Sequence, residues 1–461
     1  METTYKGVAT LLGDPKKAIL KLSTPMMFAM LMQTLYNLAD AVWVAGLGPN
    51  ALAAVGAFFP IFMIILSFAT GLGIGTNAVV SQKIGAKDKN AAENAAKVSI
   101  ILVLILGGTI TILSLLLIKP ALMLMKLSDE AFQLSLKYSY VVLLFTVIFM
   151  FTNIANAIFR AEGDAKRAML VITTGSVLNI VLDPIFIYPL KLGVLGAAYA
   201  TVVSASVGLW MSLYWFFFRR NTYLNLDFKK THLDFSILWK ILVIGIPASL
   251  AQLSMSVAIF ILNRFAAIAA GAKGIAVFTS AWRIINFGTI PMLGISAAVT
   301  SVTGAAFGAR DPEKLEKAHL FAIKLGFIIG ISVMAVIQIF SKQIAYLFTY
   351  SKDGSAIFSD IVHALVILSL FLPGTPFGMF TSAMFQGIGH GIKSLIVTVF
   401  RTIILQVFFC WLFVNILHIG VSGVWWGIVI GNLTNAVVAF NWGRSVIKKL
   451  RQSHDQTNQN R

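Results

Sequence analysis

QKIGAKDKNAAENA, residues 82–95, returns 223 residues later as AAFGARDPEKLEKA, residues 305–318. Each copy preserves a turn as well as the hydropathy around it. Two more stretches repeat in the same order: AIFRAEGDAKRAML (157–170) as AMFQGIGHGIKSLI (383–396), and LGVLGAAYATVVS (192–204) as IGVSGVWWGIVIG (419–431), at offsets of 226 and 227. The copies meet at the basic stretch FFFRRNTYLNLDFKKTHLDF (216–235), so the chain is one unit used twice.

The unit belongs to a membrane. Of 461 residues 58% are hydrophobic and the mean hydropathy is +0.85. About 20 apolar residues cross a bilayer as a helix, and twelve such stretches occur: 18–45, 51–80, 98–118, 133–159, 168–190, 194–218, 236–268, 274–306, 319–341, 356–385, 392–416 and 421–443. The reading is an all-α integral membrane protein of twelve transmembrane helices in two six-helix lobes. An even number of spans per repeat gives both lobes one topology, related by a pseudo-twofold axis along the membrane normal. That is the parallel-repeat plan of several secondary transporters, with the working cavity between the halves. The expected divisions are an N-terminal lobe (1–218), a basic linker (219–235), a C-terminal lobe (236–450) and a tail (451–461).

A net charge of +18 could suggest nucleic acid, but its distribution is a topology signal. Segments on the side of the N-terminus carry 26 of the 36 lysines and arginines, the opposite turns carry eight, and Arg283 and Arg401 lie inside spans. A bias of about three to one places both termini in the cytoplasm, with the protein multi-pass in the cell membrane. Met1 to Lys21 is polar, lacks the apolar core and cleavage site of a signal peptide, and is read as retained. The single cysteine, Cys410, lies within a span and permits no intramolecular disulfide.

Asp40, in LMQTLYNLADAVWVAG (31–46), and Asp183, in SVLNIVLDPIFIYPL (176–190), are the only two of 18 acidic residues well inside apolar spans. A charge at a helix centre costs roughly 2.5 to 3.5 kcal/mol, so such residues mark ion or proton handling. Gln33, Tyr36, Asn37 and Asp40 recur at intervals of three and four and form a polar stripe that must face the bundle interior or a wet cavity. Asn179 and Asp183 share a face, and Pro184 leaves the carbonyl of Ile180 without its helical donor. Asp40 lies about five residues, roughly 8 Å, from the outer end of its helix, and Asp183 at similar depth, so the two can meet. Two close carboxylates with amide and hydroxyl neighbours serve either as a shared-proton site or as a sodium site of hard oxygens. They cannot both stay ionised without a counter-ion, and titrate as a pair. The repeat puts Leu262 and Phe409 at the corresponding places, so ion handling is confined to the first half. Pro25, fifteen residues before Asp40, and, at the matching place, Pro247 should kink their helices, and such a kink can act as a hinge whose bend changes when Asp40 is discharged.

Other signals carry less. GLGIGT (71–76) lies within an apolar helix, where Gly71 and Gly75 suit close helix packing rather than a dinucleotide. The six histidines lack metal-ligand spacing, so the only metal expected is a sodium ion at the acids. Arg283 and Arg401 either line the cavity or close hydrogen bonds between helices, the second being favoured. Abundant phenylalanine and methionine suit an adaptable surface.

These residues resemble the multidrug and toxic compound extrusion (MATE) transporters, in particular their prokaryotic DinF-like branch. The resemblance covers nearly the whole chain. It is carried by Pro25 and Asp40 of helix one, ALAAVGAFFP (51–60), the QKIGA turn (82–86), FRAEGDAK (159–166) and LNIVLDPIFIYPLKLGVLGAAYAT (178–201). It implies a V-shaped alternating-access exporter of amphipathic, often cationic, compounds in exchange for H+ or Na+, with no cofactor. The implied cation pocket is Asp40, Asn179, Asp183 and Thr201, with Tyr138 and Asn156 as nearby polar and substrate contacts. Other branches place further acids in the second lobe, which the repeat positions lack. Small amphipathic molecules and membrane lipids are the expected partners, the chain acting as a monomer. The competing reading is a flippase for a lipid-like or lipid-linked substrate, which Arg283 or Arg401 facing the cavity would favour. A channel would give downhill flux only, and no constellation of an enzyme appears.

Overall fold

In the computed structural model, which describes residues 5–228, 234–347, 349 and 356–459, helices account for nearly all of the chain and no strand occurs among those residues. A short helix, α1 (Lys6–Leu12), stands where the sequence suggested only a polar lead-in. After it come α2 (Pro15–Ala45), α3 (Pro49–Gly85), α4 (Lys89–Met123), α5 (Asp129–Leu144), α6 (Thr146–Ala161), α7 (Ala165–Ile187) and α8 (Val194–Leu213). The second half holds α9 (Phe235–Gly308), α10 (Pro312–Ile339), a span in two pieces (Phe358–Ser369 and Thr375–Gly387), a span at 391–416 and a last helix, Ser422–Gln459.

Among the described residues ten helices are long and apolar enough to cross a membrane, and the pair α5 and α6, bent by 47°, makes an eleventh. The twelfth comes from α9. Its 74 residues are interrupted at Ala270 (φ −151°) and Gly271 (φ +61°), which separate the expected spans 236–268 and 274–306. The last helix runs on past residue 450, so the expected lobe boundary falls within it.

The repeat is written in the backbone. Positive φ occurs at Gly48 and Gly271, Lys87 and Arg310, Gly163 and Gly389, Lys191 and His418, and Gly193 and Gly420. Within each pair the separation is 223, 226 or 227 residues, the offsets of the sequence echoes. After the Lys87 and Arg310 turns, Asp88 and Asp311 cap the next helices, accepting from Ala91 N and Lys314 N, because the first amides of a helix have no internal partner.

Glycine lets the two lobes touch backbone to backbone. A Cβ on Gly85 would meet the Ala305 carbonyl oxygen at 2.0 Å, and one on Gly308 would meet that of Gln82 at 1.9 Å. These are one contact repeated across the axis, since each residue of the first pair lies 223 from its counterpart in the second. Gly71 against Ser249 and Gly294 against Met27 form another such pair, and Gly75 packs on Ile241. The GLGIGT segment is thus a packing face between lobes. Gln82 Nε2 donates to Gly387 O at 2.6 Å and Ser301 Oγ to Asn77 Oδ1 at 2.9 Å across the same seam.

The apolar cores give the lobes their shape. The largest joins both halves, with Leu22, Val79 and Ile84 packed alongside Ile241, Val302 and Phe385, at the end of the bundle where the basic residues gather. Towards the opposite end there are two separate cores, one around Phe58, Leu122 and Ile187, the other around Leu262, Phe278 and Trp425. The lobes therefore meet at the basic end and diverge from it.

That end is also tied by the first part of the linker. Glu162, in the turn after α6, is buried and accepts from Tyr223 N and Leu224 N, each at 3.2 Å. Burial pushes its carboxyl up to about 8 from an ordinary 4.5, against the pull of those two donors. The folded chain thus holds a proton that the unfolded chain releases near 4.5, so this contribution to stability is full below that pH and drains as pH rises towards 8. Thermal unfolding in detergent should show stability falling from pH 5 to pH 8, with Glu162→Gln flattening part of the fall. The lobe contact makes a separate prediction. Gly308→Ala should lower the melting temperature, by overpacking worth about 1–3 kcal/mol, whereas Gly108→Ala, with nothing within 4 Å of the new methyl, should not lower it.

Candidate functional site

The acids meet where α2 and α7 pack against each other. Asp40 comes one turn before the end of α2, and Asp183 four residues before the end of α7. The helix ends are fixed together, Tyr188 Oη donating to the Trp43 carbonyl at 3.0 Å. The carboxyl groups of Asp40 and Asp183 are near neighbours. Asp183 is fully buried and Asp40 partly so.

Asn179 bridges this pair to α8. Its Nδ2 donates to Asp183 Oδ1 at 3.5 Å and to Thr201 Oγ1 at 3.3 Å, while the Thr201 hydroxyl donates to Ala197 O at 3.0 Å. Asp40 Oδ1, Asp183 Oδ2 and Asn179 Oδ1 are buried and have no hydrogen-bond partner among the described residues. Leaving a buried acceptor unsatisfied costs about 1–3 kcal/mol. Unsatisfied oxygens on neighbouring side chains are the donor set of a proton or a hard cation. Tyr138 packs edge-on to Phe58 at 5.5 Å between centroids.

Between the lobes lies a cavity of about 660 Å³, with walls from both. Gln33, Tyr36, Asn156, Asn179 and Thr201 line it, whereas Asp40, Asp183, Asn37 and Tyr138 do not. The acids therefore sit behind the wall, and Asn179 and Thr201 belong both to the wall and to the acid cluster. Asn37 corrects the expected stripe: it is exposed and off the cavity wall. At about 100° per residue it stands just over a quarter of the way round the helix from Tyr36.

The prolines lie where the sequence put them, Pro25 within α2, Pro184 within α7 and Pro247 within α9. Arg401 lines the cavity and also reaches Asn432 on the last helix, whereas Arg283 is exposed off the cavity wall and closes no hydrogen bond among the described residues, so the favoured reading of both as bonds between helices does not hold for Arg283. Arg160, counted from sequence among the basic turns, also lines the cavity. No aspartate or glutamate does so among the described residues, leaving two arginines as the only charges on the wall. Asn432 and Asn435, missed in the sequence, line it too. Their signal was available: two amides three residues apart in the apolar run GIVIGNLTNAVVAF. No cluster of three or more metal-ligating side chains occurs among the described residues.

Comparison with known proteins adds a family. The MatE family model matches residues 25–185 and again 247–412, once in each lobe. A solved outward-facing multidrug resistance MATE family transporter of the MOP superfamily is 54% identical, with a TM-score of 0.96 over 98% of this chain and 100% of its own. A MOP superfamily transporter from Pyrococcus furiosus, for which reverse polarity of the binding pocket has been taken to suggest a different function, is also 54% identical, with a TM-score of 0.95 over the same shares. The multidrug export protein MepA of Staphylococcus haemolyticus is 26% identical over 92% of both chains.

Proposed function

The chain belongs to the MatE family of transporters, and on that premise we propose that it is a secondary active exporter of amphipathic compounds, driven by H+ or Na+ entering through the Asp40–Asp183 site. The observation that carries this reading is the pair of carboxyl groups buried together behind the cavity wall and joined to it by Asn179 and Thr201. Two carboxyl groups in such contact hold a proton or a cation between them. Taking up that ion changes the charge beside α2 without placing the ion in the path of the substrate.

The excess of lysine and arginine at the end where the lobes meet makes that end cytoplasmic, by the same rule that sets membrane topology. The divergent lobes then form an outward-open state. Discharging Asp40 alters the bend of α2 at Pro25, where the carbonyl of Lys21 lacks its helical donor, and this shifts the wall at Gln33 and Tyr36. Pro184 and Pro247 supply corresponding soft points in α7 and α9. The cavity is complete within one chain, which suits a monomer.

One cation moving inward through 100 mV releases about 2.3 kcal/mol, and each tenfold uphill gradient costs about 1.4 kcal/mol. The potential alone therefore sustains roughly a fortyfold gradient of a neutral compound. For a monovalent cationic compound the exchange is electroneutral, and only the concentration gradient of the ion drives it.

A second reading has its own support. A wall with two arginines and, among the described residues, no carboxylate suits a lipid-like substrate with an anionic group better than a cationic drug. Both readings use the same acid pair. In proteoliposomes with separate pH and sodium gradients, uphill export of a fluorescent amphiphile is expected for the wild type. Asp40→Asn and Asp183→Asn should each abolish it while retaining binding of the amphiphile. Coupled export by both variants would refute the assigned site.

A further inference from the structure

The second-lobe wall of the cavity carries chemistry that the repeat does not require. Arg401, Asn432 and Asn435 stand 226, 227 and 227 residues after Gly175, Ala205 and Gly208, and all six line the cavity. The first lobe thus builds the corresponding wall from glycine and alanine, where the second presents a guanidinium and two amides. Fold stability alone does not explain the difference.

The local backbone singles out the same place. Arg401 lies in a π-helical segment, Phe400–Leu405, whereas its counterpart Gly175 lies in regular α-helix. A π-segment inserts extra backbone into a turn, redirects side chains and is frequent at functional sites. Among the described residues the guanidinium makes one hydrogen bond, Nη1 to Asn432 Oδ1 at a long 3.5 Å, and no ion pair. Asn432 Nδ2 donates to Ile428 O at 2.8 Å, which leaves its oxygen for Arg401. Asn435 is 1% exposed, and neither its Nδ2 nor its Oδ1 has a hydrogen-bond partner among the described residues. A buried amide without partners is costly and points to a ligand that supplies them.

We propose that Arg401, Asn432 and Asn435 form a subsite for the oxyanionic head of an amphiphile, a phosphate or carboxylate, with its tail along the apolar wall at Met255, Ile259 and Leu262. A guanidinium holds two oxygens of such a group at once, and the Asn435 amide donates to a third or to an adjoining ester oxygen. Among the described residues no carboxylate on the wall competes for the guanidinium. The subsite deepens the second reading of the function and rests on it. It also separates two tasks by lobe, with ion handling in the first and head-group recognition in the second.

The test is calorimetric titration of the full-length protein in nanodiscs of zwitterionic lipid with octyl phosphate, octyltrimethylammonium and octyl glucoside. Wild type should bind octyl phosphate about tenfold or more tighter than the ammonium compound. Arg401→Gln should lose about tenfold or more of the phosphate affinity, as expected for a hydrogen bond to a charged group, and keep its affinity for octyl glucoside, which reports an intact cavity. Arg401→Lys should fall between, and Asn435→Ala should weaken octyl phosphate severalfold. Equal or tighter binding of the ammonium compound, or unchanged octyl phosphate binding in Arg401→Gln, would overturn the subsite. Inorganic phosphate should compete poorly; competition as strong as that of octyl phosphate would assign the subsite to a free anion and overturn the amphiphile. Because binding is read without an ion gradient, a failure of ion coupling leaves this result intact and the two proposals fall separately.

Discussion

At the seam between the lobes the backbones of Gly85 and Gly308 lie where no side chain fits, each against a carbonyl of the opposite half. Every larger feature depends on that approach. It joins the apolar cores of two six-helix lobes into one at the basic end, so the remaining cores separate and the cavity opens between them. Because the contact is duplicated across the pseudo-twofold axis, both sides must part together if the seam opens. Small residues suit such a joint in a membrane, where close van der Waals packing replaces the hydrophobic drive between helices. Hydrogen bonds such as Gln82 Nε2 to the Gly387 carbonyl add to the joint.

On this symmetric frame the charges are arranged without symmetry. Asp40 and Asp183 have no acidic counterparts in the second lobe, where Leu262 and Phe409 occupy the corresponding positions. Arg401 has none in the first, where Gly175 stands. The acids are held behind the wall and the arginines on it, so an entering ion and a departing compound need not share a binding surface. Their link is short: Asn179 touches Asp183 and Thr201 and also faces the cavity.

Much of this was legible in the sequence, because a duplicated chain announces its turns. The offsets 223, 226 and 227 found between echoing segments are the spacings of the paired positive-φ residues. Glycines of GLGIGT, read as a packing face, lie at the lobe contact. What stayed hidden lacked a local signal or had a misleading one. The 47° bend between α5 and α6 occurs at Phe145, with neither glycine nor proline to mark it. Arg160 sits at the end of a span among residues that reach the basic turn, so its count as a topology charge concealed a side chain on the cavity wall. Asn37 shares the helical spacing of the polar stripe but stands at its edge, and spacing alone does not say how wide a buried face is.

The most direct test of the acid pair as the coupling site runs the cycle from the substrate side. Proteoliposomes with no initial ion gradient would be given an amphiphile gradient, and movement of H+ and Na+ followed with internal indicators. If the acid pair is the coupling site, wild-type protein drives one of these ions against the amphiphile flow, and Asp183→Asn, still binding the amphiphile, moves neither. Ion movement in Asp183→Asn equal to that of the wild type would contradict it.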